Sequence, residues 1–471
     1  MDPVSLLDPN RLYPSDPATR ALARSIHASI SDLPIISPHG HVDPQWFAEN
    51  EPFSNATELF VIPDHYVLRM LVSQGVSPDA LGVARRDGSV SQTDRRESWR
   101  LFAAHYHLFR ATPSRLWLDH VFETLFGIHE TLSADNADAI YDAINVQLAQ
   151  PEFRPRALFD RFNIEVLATT ESPLDDLFHH AMIASSGWGG RVITTYRPDP
   201  VMDPDHENFA ENLDRLGALT KLDLSSFDNY LDAHRARRAY FRSFGATATD
   251  HGHPTARTLA LSHPDASALY QKVRGGAGTV EEAETFRAHM LVEMARMSVE
   301  DGMVMQLHPG SYRNHSATIF KSHGRDMGFD IPRRTDYVEA LKPLLDEVGL
   351  RNDFTLILFT LDETTLSREL APLAGVYPAL KLGPAWWFFD SAEGMRRYRE
   401  IVTETAGFYN TAGFNDDTRA FCSIPARHDV ARRVDSALLA DLVVTGRLGE
   451  EDAFALAEDL TVNLARKAYR L

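Results

Sequence analysis

The chain of 471 residues is 44% hydrophobic and 24% charged, ordinary usage for a globular protein with a large core, and its formal charge of −19 argues against general attraction to nucleic acid or anionic membrane. Its single cysteine, Cys422, excludes an intrachain disulfide framework and fits a reducing compartment. Residues 1 to 32 lack a signal-peptide core and no later segment approaches about eighteen uninterrupted apolar residues, so the expected location is the cytoplasm.

The first predicted strand opens the run LPIISPHGHVDP, Leu33 to Pro44, and ends in His39 and His41. Strand side chains alternate, so the two imidazoles project to the same side and can reach one ion at roughly 2.0–2.1 Å. A bare His-x-His also describes two polar residues leaving a strand; a metal site needs at least a third ligand from elsewhere.

Residues 45 to 160 are too long and too helical for a simple crossover. Thr112 and Pro113 mark a helix start and Gly127 its stop, while Trp99, Phe102, Tyr106, Trp117 and Phe122 read mostly as the core of a helical insertion over the mouth of the main fold. Within it, Pro63 and Asp64 are suited to open a helix carrying His65, Tyr66 and Arg69; the i, i+4 spacing of His65 and Arg69 describes a solvated face equally well.

After residue 160 the pattern is strand, loop, helix, repeated. Strands are predicted at 163–170, 191–196, 244–250, 303–308, 355–362, 379–386 and 408–417, with the clearest helix from about Val280 to Asp301, opened by a Thr279 and Glu282 capping box. With the opening strand that makes eight, a (β/α)₈ TIM-like barrel whose functional face lies where strands run into their following loops. The predicted division is 1–44 for the N-terminal helix and first strand, 45–160 for the insertion, and 161–471 for the rest of the barrel with its C-terminal helices.

The polar clusters fall at those strand ends. Arg197 and Asp199 follow the third strand, His308, Arg313 and Asn314 the fifth, and Trp386 and Trp387 the seventh. Arginine matches a carboxylate in a planar, bidentate fashion, and aromatic walls suit the C–H faces of sugars. Closure places strand eight beside strand one, so Asp416 and Asp417 are both candidate third ligands on spacing alone, with Arg419 suited to pair with Asp417 or with a substrate anion.

The motifs HGH, DHYVLR, TTYRPD, TDHGHP, QLHPGSYRNH, GRDMGFDI, LGPAWWFFD and DDTR occur in this order between about residues 25 and 470, and the chain resembles the uronate (glucuronate) isomerases of the amidohydrolase superfamily. Many of those have His-Cys-His-Leu where this chain has HGHV, and Asp-Ser-Arg-Ser where it has DTRA. The resemblance implies an aldose–ketose isomerase that interconverts hexuronates and ketohexuronates. It implies one divalent metal ion, zinc being the best fit, on His39, His41 and Asp417. It further implies that Asp417 and His308 move hydroxyl protons, that Tyr66, acidified by Arg419, carries the C2 proton, and that Arg197, Arg313, His65 and Trp386 hold the substrate. The expected partners are a small sugar acid and further copies of the same chain, with no nucleic acid or membrane. A hydrolase of the same superfamily, acting on an amide, ester or lactone, is the rival reading, as is a sugar-acid sensor that has lost the chemistry.

Overall fold

In chain order the strands of the computed structural model are β1 (Ile35–Ser37), β2 (Ile164–Glu171), β3 (Val192–Tyr196), β4 (Ala248–His251), β5 (Val304–Leu307), β6 (Ser311–Tyr312), β7 (Ile331–Pro332), β8 (Leu356–Leu358) and β9 (Leu380–Leu382). Residues 5–471 are described, so the first four residues of the predicted 1–44 segment lie outside them. Seven strands form one parallel sheet in the order β1-β2-β3-β4-β5-β8-β9, while β6 and β7 form a separate antiparallel pair in the loop after β5. The sheet curls, helices return between its strands, and the TIM-like class expected from the pattern is the one observed.

β1, β4, β5 and β8 are buried at every position, as a parallel sheet covered by helices requires, although β4 carries the polar Thr249, Asp250 and His251. The helix Val280–Asp301 has its Thr279 and Glu282 capping box, with Phe286, Met290, Leu291, Met294 and Met297 buried in the main core.

The predicted eighth strand is the correction. Phe408–Asn410 is a short 3-10 turn, and only Thr411 bridges to Leu382. Gly413 and Asp417 have φ of +77° and +36°, which takes the backbone out of the extended region and ends any ladder. The segment still spans the gap between β9 and β1, because the Ala412 amide donates to Leu382 O at 2.8 Å and the His41 amide to Thr418 O at 3.0 Å.

Residues 45–160 fold into helices, among them His65–Ser73, Arg95–Ala104, Pro113–His120 and Ala137–Leu148. Trp99, Phe102, Tyr106 and Phe122 share one apolar cluster with Val67 and Leu68, whereas Trp117 packs with the main core. Among the described residues no helix is long and apolar enough to cross a membrane.

Candidate active site

A cavity of about 800 Å³ opens at the C-terminal ends of the strands. His39, His41, His65, Tyr66, Arg197 and His308 line it, as do Arg313, Trp386, Asp417 and Arg419, so these side chains face one space, whereas Asp416 and Arg69 do not line it.

His39 and His41 leave β1, and Asp417 reaches them from the irregular eighth segment. Asp417 Oδ1 lies 3.1 Å from His41 Nε2 and 3.5 Å from His39 Nε2, and the three donor atoms lie within 4.8 Å of one another. His39 is almost fully buried, and its Nδ1 has no hydrogen-bond partner. Burial opposes ionisation of Asp417, but the two imidazoles outweigh it and hold its carboxyl well below the usual range. Desolvation keeps His41 neutral. Two imidazoles facing one carboxylate make a donor set that fits a divalent cation. Asp416 points elsewhere and pairs with His428 at 3.1 Å.

Beside this cluster stands a second group. Asp250, fully buried near the end of β4, accepts from His308 Nδ1 at 2.6 Å and forms an ion pair with Arg197 Nη1 at 3.0 Å. Burial would raise the Asp250 carboxyl, yet Arg197 and His308 hold it well below the carboxylate range. His39, Asp250 and His308 also form a donor group within 4.8 Å, but one nitrogen of His308 is already committed to Asp250. With Nδ1 donating, His308 Nε2 carries the lone pair; it is buried and has no partner. Arg197 also donates through Nε to Asp199 at 2.9 Å.

The insertion supplies the opposite wall. Asp64 caps the helix His65–Ser73 by accepting from the Tyr66 and Val67 amides, which fixes His65 and Tyr66 in its first turn. Their rings stack at 4.7 Å, and His65 meets Trp387 edge-on at 5.5 Å. Burial raises the Tyr66 phenol well above its usual value, so it is a protonated donor. Burial likewise lowers His65, to about 3, and keeps it neutral.

Two expected pairings are not observed. The guanidinium groups over the Tyr66 ring are those of Arg427, 5.5 Å from its centroid, and Arg69, 5.6 Å from it, in place of the expected Arg419. Arg419 donates to Asp326 at 2.8 Å, instead of to Asp417, and its charge holds the Asp326 carboxyl low against the effect of burial. Arg313 pairs with Asp330 at 2.9 Å and lies 5.4 Å from the Trp387 ring centroid. Trp386 is buried edge-on against His308 at 4.7 Å, leaving Trp387 nearer the opening.

Asp250, Glu171, Asp326 and Arg427 line the same cavity without having been singled out. Asp250 and Asp326 sit inside the motifs TDHGHP and GRDMGFDI, so a motif-based signal existed for them. For Glu171 and Arg427 none did.

The glucuronate isomerase family matches residues 18–469. A uronate isomerase of Mesorhizobium japonicum is 63% identical over 468 residues, covering 99% of this chain and all of that one. Among solved structures, glucuronate isomerase from Caulobacter crescentus superposes with a TM-score of 0.97 at 60% identity, over 98% of this chain and 97% of its own. Uronate isomerase from Thermotoga maritima does so with a TM-score of 0.91 at 27% identity, over 98% and 99%.

Proposed function

The chain belongs to the glucuronate isomerase family, and we propose that its aldose–ketose isomerisation of hexuronates runs in the strand-end cavity, through the residues gathered there. The substrate pairs are D-glucuronate with D-fructuronate and D-galacturonate with D-tagaturonate. One observation carries the reading: a His/His/Asp donor set, an imidazole base and a guanidinium for the substrate carboxylate face a single cavity. The lone, buried Cys422 supports a reducing compartment, and the proposed location is the cytoplasm.

In the aldose-to-ketose direction C2 loses a proton and C1 gains one, while a hydroxyl proton passes from O2 to O1. The residues for these transfers differ in their resting protonation. Asp417 is ionised and receives the hydroxyl proton released on ring opening. His308, oriented by Asp250, offers Nε2 as the second acceptor. Tyr66 is the carrier between C2 and C1. A single carrier starts as the base in either direction, taking the proton from C2 of the aldose or C1 of the ketose and returning it to the other carbon. The Tyr66 phenol must therefore first lose its own proton to the water of the open cavity, and Arg427 is a cation placed to stabilise the phenolate. Arg197 holds the substrate carboxylate, Arg313 and Arg419 line the mouth, and His65 and Trp386 contact the sugar.

His39, His41 and Asp417 would hold one divalent ion, zinc being the best match to two nitrogens and a carboxylate. When bound, such an ion supplies Lewis-acid polarisation of a substrate oxygen.

A coupled assay of purified protein on glucuronate and galacturonate, with and without chelator, tests the proposal. Ketose formation that falls on chelation and returns with added zinc is expected. Hydrolysis of a lactone or amide without isomerisation would overturn it.

A further inference from the structure

The motif TDHGHP at 249–254 contains a second His-Gly-His, and the chemistry above uses neither of its histidines. Its setting repeats that of the first. There, two histidines leave β1 and the carboxylate comes from the segment beside it. Here, His251 ends β4, His253 follows, and Asp199 lies three residues beyond the end of β3, the parallel neighbour of β4 through Tyr196 and Thr249.

The polar atoms of this cluster are incompletely satisfied. His251 is fully buried and His253 is 3% exposed, yet His251 Nδ1 and His253 Nε2 have no hydrogen-bond partner. Buried polar atoms left without partners are rare and demand an explanation. One donor atom from each of Asp199, His251 and His253 lies within 4.8 Å of the others, and no hydrogen bond joins any two of the residues. Ligands on a tetrahedral ion with bonds of roughly 2.0–2.1 Å stand about 3.4 Å apart, so modest side-chain movement would close the cluster around a cation. Burial keeps both imidazoles in the neutral form that coordination needs.

We propose that His251, His253 and Asp199 form a second divalent-cation site, separate from the His39, His41 and Asp417 group, selective for a borderline first-row ion such as zinc. The carboxylate it shares gives the site its consequence. Asp199 accepts from Arg197 Nε at 2.9 Å and from the Gly252 amide at 3.1 Å. A cation on Asp199 would therefore fix the group that orients Arg197, which makes the cluster a positioning element for substrate binding. The nearby guanidinium disfavours the ion and Asp250 offsets it, so the second site is expected to bind more weakly than the first.

Metal stoichiometry reads this directly. Metal-free protein incubated with zinc, gel-filtered and measured by inductively coupled plasma mass spectrometry should hold two equivalents. His39→Asn with His41→Asn should retain one, and His251→Asn with His253→Asn should retain the other. The latter variant should also raise KM for glucuronate more than it lowers kcat. A wild type that holds one equivalent, lost altogether in the folded His39/His41 variant, would mean water fills the second cluster and overturns the proposal. Two equivalents persisting in the folded His251/His253 variant would overturn it as well. If that variant fails to fold, His253→Gln alone and the His39/His41 variant still decide the question.

Discussion

Arg427 places its guanidinium 3.6 Å from the ring centroid of Trp117 and 5.5 Å from that of Tyr66, while its Nη1 donates to Asp390 at 2.6 Å. Burial pushes the Asp390 carboxyl up to about 7 although Arg427 opposes the rise. Arg427 is thus a fully buried, fixed positive charge beside the proposed proton carrier, and its planar stack cannot be reproduced by an ammonium group. Arg427→Lys should lower kcat by roughly 10- to 100-fold with little change in KM. Arg419→Lys, which alters the pair with Asp326 at the mouth, should act mainly on KM. Steady-state kinetics on glucuronate separate the two, and a larger kcat loss in the Arg419 variant would restore the pairing implied by the family resemblance.

The two His-Gly-His motifs differ in what their glycines allow. A Cβ on Gly40 would meet its neighbours no closer than 3.5 Å, ordinary contact, so a small side chain fits there. A Cβ on Gly252 would come within 2.2 Å of Arg197 Nη2 and 2.8 Å of Asp199 Oδ2. Gly40→Ala should keep near-normal kinetics. Gly252→Ala should push Arg197 aside and raise KM for glucuronate by about 10-fold or more, a loss of at least ~1.4 kcal/mol of binding. Equal KM values in the two variants would remove Arg197 from the carboxylate role.

The extent to which the site was legible in the chain follows from how its parts are specified. His39, His41, Arg197, His308 and Trp386 were readable because each ends an apolar strand whose period and length are local properties, and a parallel barrel gathers strand ends at one face. The eighth strand is absent although its apolar start resembles the others, because the left-handed backbone at Gly413 goes with the close approach of the C-terminal helix, where a Cβ on Gly413 would lie 2.9 Å from Ala465 N. Asp326 meets Arg419 across 93 residues of sequence, and no local pattern encodes that distance. Arg427 lies in the first turn of the helix Ile424–Val444, and only packing beneath Trp117 reveals it as an active-site wall.

Glu171 ends β2 against Thr194, whose hydroxyl donates to its carboxyl, and burial raises that carboxyl to about 8. The folded protein therefore keeps Glu171 protonated where the unfolded chain ionises it. Folding takes up a proton between about pH 4.5 and 8, and the contribution of this group to stability falls as pH rises through that window and then levels off. Glu171→Gln removes the dependence. The Tm of the variant relative to wild type should rise by about 1–3 °C from pH 5 to pH 8, measured by calorimetry or circular dichroism. A difference that stays constant with pH would show that Glu171 is ionised in the folded state.

The route taken by the C2 hydrogen gives the most direct test of the proposed chemistry. A phenol that collects the C2 proton holds it in a group able to exchange with water, whereas a hydride shift carries the hydrogen to C1 without such a stop. Tyr66 is half-buried in the wall of an open cavity, with its ring between His65 and Trp117 and its backbone on the insertion outside the sealed barrel interior. Exchange should therefore compete with transfer, and ketose made in D₂O should carry appreciable deuterium at C1 by NMR or mass spectrometry. Tyr66→Phe keeps the ring and its packing but has no exchangeable proton, and should cut turnover by at least roughly 100-fold, the usual scale for losing a general acid–base group. Complete retention of the C2 hydrogen does not by itself establish hydride transfer, since a shielded base can return the same proton. Retention together with near-normal turnover in Tyr66→Phe would defeat the Tyr66 route, while leaving the cation sites and the isomerase assignment in place.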